Sequence, residues 1–253
     1  MADADKAGCA LVTGAARRIG RAIAERLAHE GFDIVLHASA RSLLDARQLA
    51  DDIIADGGRA HVLIADLNDD RQAAALLQQA CAALGPVTLL INNASIFESD
   101  SADNFDTAHF DRLMSVNLRA PLRLSADFAA ALPAGMAGCI VNIIDQRVWR
   151  LNPRFFSYTL SKSALWTATQ TMAQTFAPRV RVNAVGPGPT LANTVDGVEG
   201  FAREAAAVPL GRAVEPSEIA EAVTYLAHAR GVTGQMIAVD GGQHLAWKTP
   251  DVD

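Results

Sequence analysis

Tyr158 and Lys162 stand four residues apart in the run Tyr-Thr-Leu-Ser-Lys, a spacing that puts a phenol and an ammonium on one face of a helix. A cation held beside a phenol favours its ionised form and lowers its pKa from about 10, bringing proton transfer at the tyrosine oxygen closer to working pH. Alone, such a pair is more often a packed ring and a solvated amine, so its meaning rests on what the remaining chain brings to it. The stretch that ends in this pair begins at Asp145, directly after the apolar run 139–144.

The elements that would position these groups alternate between short apolar runs and helical patterns. Residues 9–12 form an apolar run that ends in Thr-Gly14-Ala-Ala-Arg17-Arg18-Ile19-Gly20, after which Ile19, Ile23 and Leu27 recur at helical spacing up to Gly31. This is a strand, a glycine turn and a helix, an arrangement that aims backbone N–H groups at a pyrophosphate. A second strand, 33–37, ends where an NAD-binding fold would carry an acid for the ribose hydroxyls. The segment instead reads His37-Ala-Ser-Ala-Arg41-Ser42, with Arg17 also at hand. A guanidinium holds a phosphate by paired hydrogen bonds and a carboxylate would repel it, so NADP(H) is favoured over NAD. Arg41 and Ser42 have a second reading, as the start of a helix over 42–56.

A strand over 61–65 ends in Asp66-Leu67, where the aspartate either accepts from an adenine amino group or caps the helix that starts near 69. A strand over 88–91 carries Asn-Asn93-Ala94-Ser95-Ile-Phe97 at its end. Residues 105–132 read as helical, with Asn117 either exposed or disturbing the helix and holding water near the lysine. The apolar run 139–144 is a central strand. Residues 165–176 continue the tyrosine helix, and a strand over 181–185 leads into Gly-Pro187-Gly188-Pro-Thr. The region of about 189–210, irregular to 200, reads as a lid over the site. Helices return at 201–207 and 218–228, and a last strand covers 236–239. The whole chain, 1–253, is therefore expected to be a single-domain α/β fold: a Rossmann-type doubly wound parallel sheet with helices on both faces. Ligands of such sheets lie beyond the carboxyl ends of the strands.

Composition narrows the class of protein. The net charge of −6, with 22 basic and 28 acidic residues, speaks against a general nucleic-acid binder. No apolar run reaches the roughly 20 residues that span a bilayer, and the first residues lack the order of a signal peptide, so a cytoplasmic protein with no membrane partner is expected. Cys9, Cys81 and Cys139 are far apart and read as core residues, with no metal-ligand spacing.

Taken together in chain order, Thr13-Gly14 through Gly20, Asp66, Asn92-Asn-Ala94, Asn117, Tyr158 with Lys162, Pro187-Gly188 and Asp240-Gly-Gly242 resemble the short-chain dehydrogenase/reductase family over nearly the whole chain. The resemblance implies that Tyr158 donates the proton, that Lys162 lowers its pKa and holds the nicotinamide ribose, and that Asn117 orders water to the lysine. It also implies a homotetramer or homodimer packed on the tyrosine helix and its predecessor, for which Leu165, Trp166 and Met172 are candidate contacts.

Three departures sharpen it. Arg18 stands where most members have the middle glycine of the turn, Asp145 where most have a serine, and Ser95 and Phe97 follow Ala94 where a glycine is usual. These features resemble the pteridine reductase branch, in which Phe97 would stack on a pterin, Arg18 would reach pyrophosphate and pterin, and Ser95, Asp145 and Tyr158 would complete the substrate site. An ionised carboxylate only accepts hydrogen bonds, so Asp145 suits a ketone oxygen less well than a ring with N–H donors. A generic ketone or 3-oxoacyl thioester reductase and a non-catalytic NADP-binding sensor are the alternatives.

Overall fold

The computed structural model describes residues 7–192 and 197–246. Its strands are β1 (Gly8–Val12), β2 (Phe32–Ala38), β3 (Ala60–Ile64), β4 (Val87–Asn92), β5 (Gly138–Ile143), β6 (Val180–Pro187) and β7 (Met236–Val239). They form one sheet in the order β3-β2-β1-β4-β5-β6-β7, and every neighbouring pair is parallel. The helices are α1 (Arg18–His29), α2 (Leu43–Ala55), α3 (Asp70–Leu84), α4 (Thr107–Met114), α5 (Ala120–Ala131), α6 (Phe156–Phe176), α7 (Gly197–Ala207) and α8 (Pro216–His228).

Parallel strands need crossovers, and crossover helices cover both faces of the sheet, which is why the strands read as continuous apolar runs. Alternation along β1 shows the division: Ala10 and Val12 enter one core with Ile23, Leu27, Leu49, Ile219 and Val223, while Cys9 and Leu11 enter another with Leu76, Leu77, Leu124 and Phe128. In β5, Val141 joins the first and Ile140 the second. The doubly wound α/β expectation holds. Strand order reverses between β1 and β4, so the crevice for a ligand opens beyond the carboxyl ends of these two strands.

Four details differ from the sequence reading. The helical run 105–132 is broken by a π turn, Ser115–Arg119, between α4 and α5. Helix α7 begins at Gly197 instead of 201, and residues 193–196 of the expected lid lie outside the described residues. Gly186 and Pro187 belong to β6, because they pair with Ala238 and Val239 of β7. Leu165 packs with Ile144, Ala184 and Met236 and is 1% exposed, so it serves the core and cannot contact a second subunit. Among the described residues no helix is long and apolar enough to cross a membrane, and no cluster of His, Cys, Asp or Glu could hold a metal ion.

Candidate active site

The glycine turn takes its shape from the end of β4. Thr13 Oγ1 accepts the main-chain N–H of Asn93 at 2.9 Å and of Ala94 at 3.0 Å, and Asn93 Nδ2 donates to Thr13 O at 2.8 Å and Gly14 O at 3.1 Å. Gly14 has φ 64°, and a methyl group on Gly20 would stand 2.2 Å from Gly14 O. The bare backbone at both positions lets the turn and α1 close together. Arg18 also takes a left-handed backbone, φ 55°, and its guanidinium donates to Leu191 O at 3.2 Å and Ala192 O at 3.0 Å. It thereby joins the turn to the loop after β6.

His37 lies on the cleft wall, but its ring nitrogens face the main chain. Its Nδ1 accepts the Gly14 N–H at 3.2 Å and its Nε2 lies 3.2 Å from Ala65 O, so Nε2 carries the proton and donates. Both ring nitrogens are used by the main chain, and burial holds the imidazole neutral with its pKa down to about 4. The ring is a strut behind the turn. Asp66 is not the cap of α3, because Asp69 accepts the N–H groups of Arg71 and Gln72; Asp66 accepts from Asn68 N–H instead and stays at the cleft. Arg41 and Ser42 form a short 3-10 turn, Ala40–Ser42, before α2, and Arg17 pairs with Asp45 at 2.5 Å.

These residues border one cleft of about 860 Å³. Every residue expected to bind cofactor or substrate lies on its wall, from Gly14, Ile19 and Leu67 to Pro187 and Gly188. Asn117 does not. It is fully buried in the π turn, where Oδ1 accepts Ile96 N–H at 2.8 Å and Ser95 Oγ–H at 3.2 Å, and Nδ2 donates to Ile96 O at 2.9 Å and Ser161 Oγ at 3.3 Å. The exposed reading of Asn117 is therefore wrong: a buried amide needs partners, and the widened turn lets it tie the Ser95 loop to α6.

At the catalytic end, Tyr158 O–H donates to Asp145 Oδ2 at 3.1 Å, and Lys162 Nζ donates to Ile143 O at 2.8 Å. Burial, with the Asp145 charge next, pushes the Tyr158 phenol well above its usual range. The net direction is upward: the carboxylate is the nearer charge, and the Lys162 ammonium lies 5.7 Å from the ring centre. Burial lowers Lys162 to about 8 against the pull of Asp145, and burial raises Asp145 against the pull of Arg147. Phe97 stacks on Phe155 with ring centres 4.3 Å apart and meets Tyr158 edge-on at 4.8 Å. Asp100 accepts from Ser157 N–H at 3.0 Å and Ser157 Oγ–H at 2.5 Å, so the start of α6 is capped by a distant loop.

Sequence reasoning missed Phe155, Arg147, Glu204 and Gln243. Gln243 Nε2 donates to Glu204 Oε1 at 2.7 Å on the cleft wall, a pairing between the last turn and α7 that no local spacing signals. Arg147 had a signal. A carboxylate after a central strand is buried and needs a countercharge, and an arginine stands two residues on.

A family profile described as enoyl-(acyl carrier protein) reductase matches residues 14–244. An uncharacterised oxidoreductase of Methylorubrum extorquens is 36% identical over 242 residues, 92% of this chain and 96% of its own length. A 3-oxoacyl-(acyl carrier protein) reductase of Staphylococcus aureus is 29% identical over 93% of this chain and 98% of its own. The crystal structure of FolM alternative dihydrofolate reductase 1 from Brucella canis, complexed with NADP, is 50% identical, covers 100% of both chains and superposes with a TM-score of 0.94. The chain belongs to the short-chain dehydrogenase/reductase family and is an oxidoreductase of that class.

Proposed function

We propose that the protein is an NADPH-dependent reductase of a pterin-type substrate: a dihydropteridine, dihydromonapterin or dihydrofolate. One observation carries the reading. The residue that meets the proton donor is a carboxylate, since Asp145 Oδ2 accepts from Tyr158 at 3.1 Å. That end of the cleft therefore offers an acceptor where a ketone oxygen would require a donor. Phe97, backed by Phe155, gives an aromatic wall for a flat ring, and the likeness to the Brucella FolM chain points the same way.

NADP(H) is the cofactor this reading requires, and the residues fit it. No acid ends β2, and Arg41, Ser42 and Arg17 border the adenosine end of the cleft to receive a phosphate. Gly14 and Gly20 leave the turn bare for a pyrophosphate, with Arg18 above it, and Asp66, Leu67, Asn93 and Ala94 complete the wall. Lys162 is placed to hold the nicotinamide ribose. When bound, the cofactor supplies a hydride to carbon. The chain's own part is to orient the ring against Phe97 and Ser95, to exclude water, and to deliver the Tyr158 proton to nitrogen, with Asn117 fixing the Ser95 loop. The same reading includes a cytoplasmic homodimer or homotetramer, for which Trp149, Leu151 and Leu160 supply exposed apolar surface near α6.

The test is NADPH oxidation by purified protein with dihydrobiopterin and dihydrofolate, beside a 3-oxoacyl thioester. Pterin turnover that is lost in Phe97→Ala, and lost in Tyr158→Phe while NADPH still binds, is the expected result. Robust thioester reduction without pterin turnover would sink the reading.

A further inference from the structure

Arg147 is a half-buried cation, its side chain 12% exposed, that neither the glycine turn nor the Tyr158/Lys162 pair explains. It follows Asp145 in the turn Gln146–Val148, and its main-chain N–H donates to Asp145 Oδ1 at 2.8 Å. Its guanidinium carbon lies 4.6 Å from the ring centre of Phe155 and 5.4 Å from that of Phe97, so aromatic faces hold the fork. Phe155 adopts φ 60° at the start of α6, a left-handed backbone that a bulky residue keeps only where its surroundings impose it. Arg147 Nε is sealed from solvent and has no hydrogen-bond acceptor. Asp145 Oδ2 stands 3.7 Å from it, just outside bonding range. The same oxygen accepts the Tyr158 O–H at 3.1 Å. One carboxylate oxygen thus has one donor engaged and another waiting.

Proton transfer from Tyr158 gives the waiting donor a purpose. The phenol O–H bond breaks, a bond forms between that proton and the substrate nitrogen, and the electron pair stays on the phenolate oxygen; the two electrons that reduce the substrate C=N arrive with the hydride. Asp145 Oδ2 has then lost its donor and faces a second anion. We propose that Arg147 is a positioning residue for this step: as Tyr158 gives up its proton, Asp145 Oδ2 moves from the phenol to Arg147 Nε–H, and it returns when a water O–H bond breaks to reprotonate the phenolate and the hydroxide is neutralised by solvent protons. The charged and titratable groups facing Asp145 among the described residues are Tyr158 and Lys162 from α6 and Arg147 from its own turn. Arg147 is the foremost of them in opposing the rise that burial imposes on Asp145. The inference rests on the proposed reaction for the identity of the acceptor, but the exchange applies to any acceptor that Tyr158 protonates.

The experiment compares wild type, Arg147→Met and Arg147→Lys by kcat and KM for dihydrobiopterin from pH 5 to 9, with NADPH affinity measured by fluorescence titration. Arg147→Met is expected to lower kcat on the order of 10- to 100-fold with NADPH affinity unchanged. The pH below which activity falls is expected to move upward, because the carboxylate has lost its countercharge. Arg147→Lys keeps the charge without the fork, and is expected to restore the pH profile and part of kcat. Wild-type kcat and profile in Arg147→Met would overturn the proposal. So would a loss of kcat that tracks lost NADPH affinity at an unmoved profile, the mark of a structural role. Should Arg147→Met fail to fold, a several-fold lower kcat in Arg147→Lys at an unmoved profile supports the exchange and wild-type kcat refutes it. If wild type reduces no pterin, the pterin reading falls by itself, and the three proteins are compared on the thioester it does reduce.

Discussion

Acid is expected to loosen the glycine turn from behind, through His37. In the unfolded chain this imidazole takes up a proton near pH 6.5, whereas burial in the fold delays uptake to about 4. Between these values the unfolded state binds more protons, so the stability present above pH 6.5 is lost as the pH falls toward 4. The gap is worth about 3 kcal/mol in full and about 2 kcal/mol by pH 5. The structural cause is direct. Protonated Nδ1 cannot accept the Gly14 N–H that it now accepts at 3.2 Å, and the Asp66 charge, which favours the imidazolium, is outweighed by burial. Urea unfolding of wild type and His37→Gln between pH 7.5 and 4.5 isolates the effect, because the variant keeps an amide but does not titrate. The stability difference between the two proteins should shrink by about 2 kcal/mol on going from pH 7.5 to 5. A difference that stays flat over that window would refute the assignment of His37 as a neutral strut.

Two further outcomes follow from contacts at the site. Gly20→Ala puts a methyl group 2.2 Å from Gly14 O and 2.5 Å from Asn93 Nδ2, so it should destabilise the protein and weaken NADPH binding in a fluorescence titration; wild-type affinity would show that the turn yields freely. The expected loss of stability is about 1–3 kcal/mol. Asp100→Ala uncaps α6, removing acceptors 3.0 Å from Ser157 N–H and 2.5 Å from Ser157 Oγ. It should cost about 1 kcal/mol, read as a lower thermal midpoint, and an unchanged midpoint would mean that water replaces the cap.

Local signals carried most of the fold. The alternation of apolar runs and helical spacing located all seven described strands to within two or three residues, because each strand is buried on both faces and each helix on one. The cleft was legible for a related reason: strand ends and the glycine turn are adjacent in any sheet of this kind, so Ser95, Asp145 and Pro187 could be placed together without knowing a single distance. What escaped was long-range polar pairing. Nothing near His37 says that its Nδ1 will meet Gly14, nothing near Asn117 says that four bonds await it, and nothing near Tyr158 says that a carboxylate will outweigh the lysine. The helix extent of α7 was misjudged because Gly197 and Gly200 read as breakers, while the fold tolerates both within or beside the helix.

The bonds that shape the glycine turn also set an order of events during synthesis. Thr13 and Gly14 take their geometry from Asn93, 80 and 79 residues further along the chain. At ribosomal speed that interval lasts about 4–16 s. Until β4 emerges, the first strand and turn exist without the partner that fixes them, so the cofactor loop, though encoded among the first twenty residues, waits for a strand encoded at 87–92 to acquire its form. A nascent chain has no competent cofactor loop to be trapped by the cellular nucleotide pool before its sheet has been wound in both directions.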